Sequence, residues 1–164
     1  MDEKLILGVD PGARGGLAWL AEDGTLAHLA VMPYLDGRVD GRALAQALRL
    51  HPVRLAGVEA VHAMPKQGVV SMFNFGAGWG AILGVLAALD VRTVLVTPQR
   101  WQRAVLGKLE AGAGKSAALA YCLKRWPAAP WVRPRCRKAH DGMVDAACIA
   151  AHTLATDPGE SWLE

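Results

Sequence analysis

Residues 4–16 read KLILGVDPGARGG, and their apolar run ends on a single carboxylate, Asp10. Residues 5–9 present no polar face, and the Pro-Gly pair after Asp10 stops the run. An apolar run bounded in this way predicts a central strand that is covered on both sides. A buried carboxylate without a partner is costly, which favours a functional role for Asp10. Asp-Pro-Gly is also ordinary turn chemistry, so the stretch alone leaves both interpretations open.

The chain has 164 residues, which fits one domain, and we expect a single domain over residues 1–164. Its three cysteines, Cys122, Cys136 and Cys148, are odd in number and lack CxxC spacing, which argues against a disulfide framework. We therefore expect an intracellular protein, in the reducing cytoplasm of a cell.

No basic and apolar leader opens the chain, and no uncharged apolar run reaches the ~18 residues that a membrane span needs. The nearest candidate, residues 68–89, is interrupted by glycines and polar residues and is predicted to be a buried helix. We therefore expect a soluble protein without a membrane partner.

Positive charge is concentrated in the middle of the chain. Residues 60–140 hold twelve Lys or Arg but only two acids, Asp90 and Glu110, although the formal net charge of the whole chain is only +3. Such a segment is typical of a surface that binds a polyanion such as DNA. A solvated basic surface without a ligand is the alternative.

Hydrophobic periodicity and turn residues predict an α/β fold. Three antiparallel strands come first and two parallel strands follow, in one mixed sheet with helices on both faces. The predicted strands are residues 4–10, 15–21, 25–32, 53–60 and 91–96, and the predicted helices are residues 41–50, 71–89, a short helix from Pro98, 114–126 and 141–155. Residues 33–40 and 128–139 are predicted loops. Four glycines inside the second helix require a packing reason, such as close approach to a partner helix or to the sheet.

Four acids are candidates for a shared site. Asp141 and Asp145 are four residues apart at the start of an otherwise apolar helix, so they share one face. Helix capping and the macrodipole explain Asp141 well but Asp145 less well. Together with Asp10 and Glu59 at the ends of neighbouring strands, they form an all-oxygen set of the kind that holds two hard divalent cations for phosphodiester cleavage.

Several short motifs together resemble the RuvC family of Holliday junction resolvases, in particular its phage branch. They are GVDPGARGG, VEAVHAMPKQG with SMFNFG, VTPQRWQ, GKSAALAYCLKRWP and HDGMVDAACIA, in this order over about residues 4–155. The resemblance implies a ribonuclease H-like fold, a homodimer, two Mg²⁺ ions per site for which Mn²⁺ may substitute, and paired symmetric nicks in four-way DNA junctions.

The resemblance also assigns roles to residues. Asp10, Glu59 and Asp145 match three metal ligands, and the fourth ligand varies between Asp and His in the family. We assign it to Asp141, with His140 as its neighbour or alternative. Lys115 is expected at the scissile phosphate. Its AGAGKS context lacks the earlier glycine of a phosphate loop, because position 109 is Leu, and we therefore expect no nucleotide cofactor.

The remaining candidate residues concern DNA and packing. A loop after Glu59 is expected to enter the junction, with His62 stacking on a base, although a surface loop without a role remains the alternative. The expected DNA contacts are His62, Met64, Lys66, Gln67, Lys108, Arg133, Arg135, Arg137 and Lys138. Phe73 and Phe75 are predicted to be core or dimer-interface residues, and Trp101, Trp126 and Trp131 are predicted to be packing anchors. The spacings Cys136-x₃-His140 and Cys148-x₃-His152 match no common zinc module.

Three other functions remain open at this stage. The first is a ribonuclease H-like nuclease that acts on branched DNA, RNA or RNA/DNA hybrids, and the second is a junction-binding protein without catalysis. The third is a nucleotide-binding module of the actin and sugar-kinase type, which shares the sheet but needs a second phosphate loop and a longer chain.

Overall fold

The structure is a computed structural model that describes residues 4–60 and 68–157. Within these ranges the strands are β1 (Leu5–Asp10), β2 (Gly16–Leu20), β3 (Leu26–Val31), β4 (Tyr34–Leu35), β5 (Arg38–Val39), β6 (Val53–Glu59) and β7 (Arg92–Val96). The helices are α1 (Gly41–Leu50), α2 (Val69–Ala88), α3 (Pro98–Leu106), α4 (Gly114–Arg125) and α5 (Asp141–Thr156).

One five-stranded sheet with the order β3-β2-β1-β6-β7 organises the chain. β1 pairs antiparallel with β2, and β2 pairs antiparallel with β3, while β1, β6 and β7 run parallel. The predicted mixed sheet of three antiparallel and two parallel strands is therefore confirmed. Val9 pairs with Val58 in the parallel pair β1–β6. The next residue is the last of each strand, so Asp10 and Glu59 lie side by side at the carboxyl ends of these two strands.

Helices cover both faces of the sheet, as predicted. On one face α5 lies against β1 and β2, with α3 and α4 packed beside it around the buried Trp101 and Cys122. On the other face α1 and α2 enclose a second core that contains Trp19, Leu44 and Ile82. β1 contributes to the interior on both sides, which explains why its sequence has no polar face.

The backbone of α5 lies directly on the sheet because the strand residues beneath it are glycines, which have no Cβ atom. A Cβ atom at Gly8 of β1 would overlap the backbone of Ala146 and Ala150, and one at Gly16 of β2 would overlap the backbone of Gly142. A side chain at Gly57 of β6 would likewise collide with Thr153 of α5. Three neighbouring strands therefore need glycine where the helix crosses them.

The predicted loop at residues 33–40 is wrong in detail, since it contains the two-stranded ribbon β4–β5. Asp36 and Gly37 connect these strands with φ of 49° and 75°. Two consecutive positive φ values are typical of a type I′ turn, for which Asp-Gly is a preferred pair. The sequence therefore contained the hairpin signal, but strands of two residues are too short to show an alternating pattern.

The prediction that residues 68–89 form a buried helix is also wrong. α2 forms, but only Ile82 and Leu86 are fully buried in it, while Val69 and Phe73 are 84% and 74% exposed. Nothing lies within 4 Å of a Cβ atom added at Gly76, Gly80 or Gly84, so most of its glycines have no close neighbour among the described residues; Gly78 packs near Val39. The helix is apolar on every side, whereas α1, β5 and β7 cover only one side of it.

We predict that Gly8→Ala will strongly destabilise the protein, because the new methyl group meets helix backbone that has no room to move. The expected loss in the free energy of unfolding is about 3 kcal/mol or more, at the upper end for overpacked cores, and denaturant unfolding measures it. Gly114→Ala is the matched control, since its new Cβ atom would meet only the end of Gln102 at 4.0 Å. Equal stability of the two variants would contradict the proposed contact.

Candidate metal centre and nucleic-acid interface

Asp10 and Glu59 form the sheet side of a group of acids. Burial and the negative charges of Glu59, Asp145 and Asp141 raise the pKa of Asp10 to about 8. Because the charges of Glu59, Asp141 and Asp145 each act on Asp10, the four predicted acids lie near one another in space. We call Asp10, Glu59, Asp141 and Asp145 the acidic cluster.

α5 supplies the other two acids from its first two turns. Gly142 forms a bridge with Gly15 in the turn after β1, and this contact places the start of α5 beside Asp10. Asp145, one turn further, is half-buried, and burial together with the charges of Glu59 and Asp141 raises its pKa to about 6. Lys115 opposes this increase. Asp141 is the outermost of the four acids and is exposed.

Two tryptophans hold Glu59. The indole nitrogen of Trp101 in α3 donates a hydrogen bond to Oε1 of Glu59 at 2.9 Å, and the indole nitrogen of Trp79 in α2 donates one to its backbone oxygen at 3.2 Å. Burial raises the pKa of Glu59, and the hydrogen bond from Trp101 opposes this increase. Trp101 is the buried packing anchor that the sequence predicts, and it also contacts the acidic cluster, which the sequence analysis missed.

Lys115 at the start of α4 forms an ion pair with Asp141, with 2.7 Å between Nζ and Oδ2. The hydrogen bond and charge of Asp141 raise the pKa of Lys115. His140, the alternative fourth ligand, caps α5, since its Nδ1 accepts a hydrogen bond from the backbone N–H of Met143 at 3.3 Å. Nδ1 is therefore engaged in the helix cap, which favours Asp141 over His140 for a role towards a cation.

The chemistry of the acidic cluster suits a hard divalent cation. All four side chains offer only oxygen donors, which Mg²⁺ and Mn²⁺ prefer, and the neighbouring negative charges contribute to the raised pKa values of Asp10 and Asp145. Among residues 4–60 and 68–157, however, no three potential ligands are already gathered around one point. Mutual repulsion and the outward ion pair of Asp141 explain this spread, so the residues fit a metal by charge and donor type and not as a finished coordination shell.

A basic cavity of about 380 Å³ adjoins the acidic cluster. Lys115, Arg137 and Lys138 line it together with Asp141 and Asp145. Arg137 and Lys138 belong to the predicted loop between α4 and α5, which a hydrogen bond from His140 N to Trp131 O at 2.8 Å closes at its base. Arg133 and Arg135 lie exposed on the same loop. The structure thus brings these predicted basic residues and the acids to one end of the domain.

Lys108 lies apart from that cavity. It lines another concave surface, of about 710 Å³, with Gln99, Gln102 and Arg103 of α3. The sequence analysis did not select these three residues. Their spacing on one side of α3 was visible, but only the structure shows that the following segment folds beside them. The other expected DNA contacts, His62, Met64, Lys66 and Gln67, lie outside the described residues.

Arg14 was also missed as a member of the site. It lies in the turn between β1 and β2, and its positive charge opposes the raised pKa of Lys115. The backbone oxygen of Arg14 also lies against Gly142 at the start of α5. The only signal in the sequence was its place in the glycine-rich segment after Asp10.

The cysteines and the other tryptophans contribute to the interior. Cys122 and Cys148 are free and buried, with 3.7 Å between their sulfurs where α4 meets α5. Trp126 and Trp131 are buried, which confirms their prediction as packing anchors.

Comparison with known proteins identifies the fold. No family model matches the sequence, and no curated protein matches it. Among solved structures, the chain is similar to RuvC of Thermus thermophilus in complex with a Holliday junction substrate, with a TM-score of 0.70, 18% identity and coverage of 91% of this chain and 92% of that one. A second Thermus thermophilus RuvC structure matches with a TM-score of 0.66 and 17% identity over 92% and 95% of the two chains. The chain therefore has the predicted ribonuclease H-like fold of RuvC.

We predict that Asp10 and Asp145 make the metal-free protein less stable as the pH rises from about 4 to about 8, because the folded state holds protons on both carboxyls more tightly than the unfolded state does. Within this window the slope is at most about 1.4 kcal/mol per pH unit for each group. Thermal unfolding of wild type and Asp10→Asn in a chelator, measured across this pH range, checks the sign. Wild type is expected to lose stability relative to Asp10→Asn as the pH rises, and a constant or opposite difference would contradict the prediction.

Proposed function

We propose that the chain is a metal-dependent endonuclease that hydrolyses phosphodiesters in four-way DNA junctions. The acidic cluster at the end of the central strands, beside a basic cavity, is the observation on which this proposal depends. A second support is the fold, which this chain shares with a RuvC protein whose structure contains a Holliday junction substrate. Expected products are paired symmetric nicks with 5′-phosphates, made in the cytoplasm where the DNA is.

In this proposal the acidic cluster holds two Mg²⁺ ions, or Mn²⁺ in their place. Bound there, the ions supply the positive charge that an attacking water and a leaving oxygen require. The protein contributes position: β1 and β6 present Asp10 and Glu59 from a rigid sheet, and α5 presents Asp145 and Asp141 from above. Trp101 and the backbone contacts of Gly142 limit how far these groups move.

Lys115 is proposed to contact the phosphate that is cleaved. In this structure Lys115 forms an ion pair with Asp141. Both side chains are more than half exposed, so Lys115 can exchange this carboxylate for a phosphate. A phosphate entering the basic cavity would compete for Lys115, while Arg137 and Lys138, which also line the cavity, would hold the neighbouring backbone. Such contacts position a duplex without reading its sequence. Lys108, Arg133 and Arg135 are proposed to extend the same type of contact.

We further propose that the enzyme is a homodimer, since two symmetric nicks in one junction require two active sites. α2 is the proposed interface. By length and composition this helix passes for a membrane span, so the expectation that no apolar run is long enough for one is wrong. However, Ile82 and Leu86 anchor it in the core, and Trp79 hydrogen-bonds Glu59, so one side of it belongs to the domain. Its exposed apolar side, with Val69 and Phe73, is proposed to pack on the same helix of a second copy.

The first prediction from this proposal concerns activity. Purified protein with Mg²⁺ is expected to nick a synthetic mobile four-way junction, and Asp145→Asn is expected to lower the rate by at least about a thousandfold, because it removes a negative ligand from the cluster. Quantitative gel assays of strand cleavage measure both rates, with and without a chelator.

A panel of flap, RNA/DNA hybrid and linear duplex substrates separates the alternatives. Preference for hybrid or flap would favour a broader ribonuclease H-like nuclease. Tight junction binding by wild type and Asp145→Asn alike, without any metal-dependent nick, would instead identify a binding protein without catalysis and would refute the proposal.

The second prediction concerns the dimer. Phe73→Glu places a charge on the exposed apolar side of α2, and we expect it to convert a dimer into a monomer in light scattering coupled to gel filtration. Paired cleavage of a cruciform plasmid should then become two uncoupled nicks. Leu123→Glu on α4 is the control, since Leu123 is also exposed, at 48%, but lies on another helix. Dimers that persist in Phe73→Glu would place the interface elsewhere.

A further inference from the structure

Trp101 is a buried residue whose polar atom points at the acidic cluster. Its side chain is 1% exposed, and its indole nitrogen lies 2.9 Å from Oε1 of Glu59. Packing alone does not require this contact, because phenylalanine or leucine fills apolar space equally well without a donor. A buried indole N–H that meets a carboxylate instead constrains the carboxylate.

The contact fixes which oxygen of Glu59 is available. Among the described residues, Oε1 accepts the hydrogen bond from Trp101, and no hydrogen bond to Oε2 is present. The backbone of Glu59 is held as well, since Trp79 donates to its carbonyl oxygen at 3.2 Å and the next amide, Ala60 N, donates to Val96 O at 2.8 Å. Glu59 is thus restrained at its main chain and at one carboxylate oxygen.

We propose that Trp101 is a positioning residue that holds the Glu59 carboxylate so that its other oxygen serves as a metal ligand. This inference rests on the metal-binding part of the proposed function. Hydrogen-bond partners of metal ligands restrict ligand rotation and commonly affect metal affinity by about 10-fold to 100-fold. Trp101 acts from the protein side only and does not itself contact the cation.

The chain offers a matched control for this idea. Trp126 is also buried, and its indole nitrogen also donates a hydrogen bond, to Gly24 O at 3.0 Å. That contact lies in the turn between β2 and β3, at the opposite end of the sheet from Asp10, because β1 and β2 run antiparallel. Trp101→Phe and Trp126→Phe therefore remove the same type of group and hydrogen bond from two distant places.

The experiment is calorimetric titration of the metal-free protein with Mn²⁺, without DNA. Trp101→Phe is expected to weaken Mn²⁺ binding about tenfold, and Trp126→Phe is expected to leave it unchanged. In a Glu59→Gln background, Trp101→Phe should cause no further loss, because the group it positions is already altered. Unchanged affinity in Trp101→Phe, or an equal loss in the Glu59→Gln background, would overturn the inference.

A measurement on the wild-type chain avoids dependence on a variant that folds poorly. In ¹H–¹⁵N spectra, Mg²⁺ is expected to shift the indole resonance of Trp101 while that of Trp126 stays in place. A stationary Trp101 resonance in a protein that binds Mg²⁺ would refute the positioning role alone. Wild-type metal binding with a shifted resonance but no junction cleavage would refute the proposed function and leave this inference standing, whereas absence of metal binding refutes both.

Discussion

The direct contact of the α5 backbone with the sheet is the constraint on which the rest of the structure depends. Gly8 and Gly16 allow it on two neighbouring strands, Gly142 allows it from the helix, and Gly57 on a third strand leaves room for the Thr153 side chain. Close backbone packing fixes both the height and the rotation of α5, because neither partner has a flexible side chain that absorbs a displacement. The position of the candidate site is therefore set by residues that have no functional groups.

The rigid contact between α5 and the sheet holds the acidic cluster together although its negative charges repel one another. Burial and mutual repulsion raise the pKa of Asp10 to about 8 and that of Asp145 to about 6, so the folded state holds protons where it lacks cations. Among residues 4–60 and 68–157, Lys115 alone forms an ion pair with the cluster, at its exposed outer edge. Natural proteins tolerate such groupings where function requires them. Here the same side of the molecule also presents Arg137 and Lys138, so it combines acids that attract cations with bases that attract phosphates.

α2 illustrates a different consequence of sequence composition. Its residues are apolar on all sides, and the domain uses only one of these sides, where Ile82 and Leu86 enter the core. A large exposed apolar surface is uncommon on a free monomer and normally marks an interface. The same helix also donates the Trp79 hydrogen bond to Glu59, so the proposed dimer interface and the candidate site share one element. A second chain that packs on α2 would therefore contact the helix whose Trp79 holds Glu59.

The sequence by itself determined the order of the five main strands and the five helices, but not the short ribbon β4–β5. The apolar run ending at Asp10 and the pair Asp141 and Asp145 express local periodicity and local turn chemistry, which a sequence displays directly. Only the tertiary structure decided which glycines allow α5 to lie on the sheet, and that Trp101 and Trp79 hydrogen-bond to Glu59. It also decided that Arg14 lies near Lys115 and that one side of α2 is exposed. These facts depend on contacts between residues far apart in the chain, and no local pattern records which surfaces meet after folding.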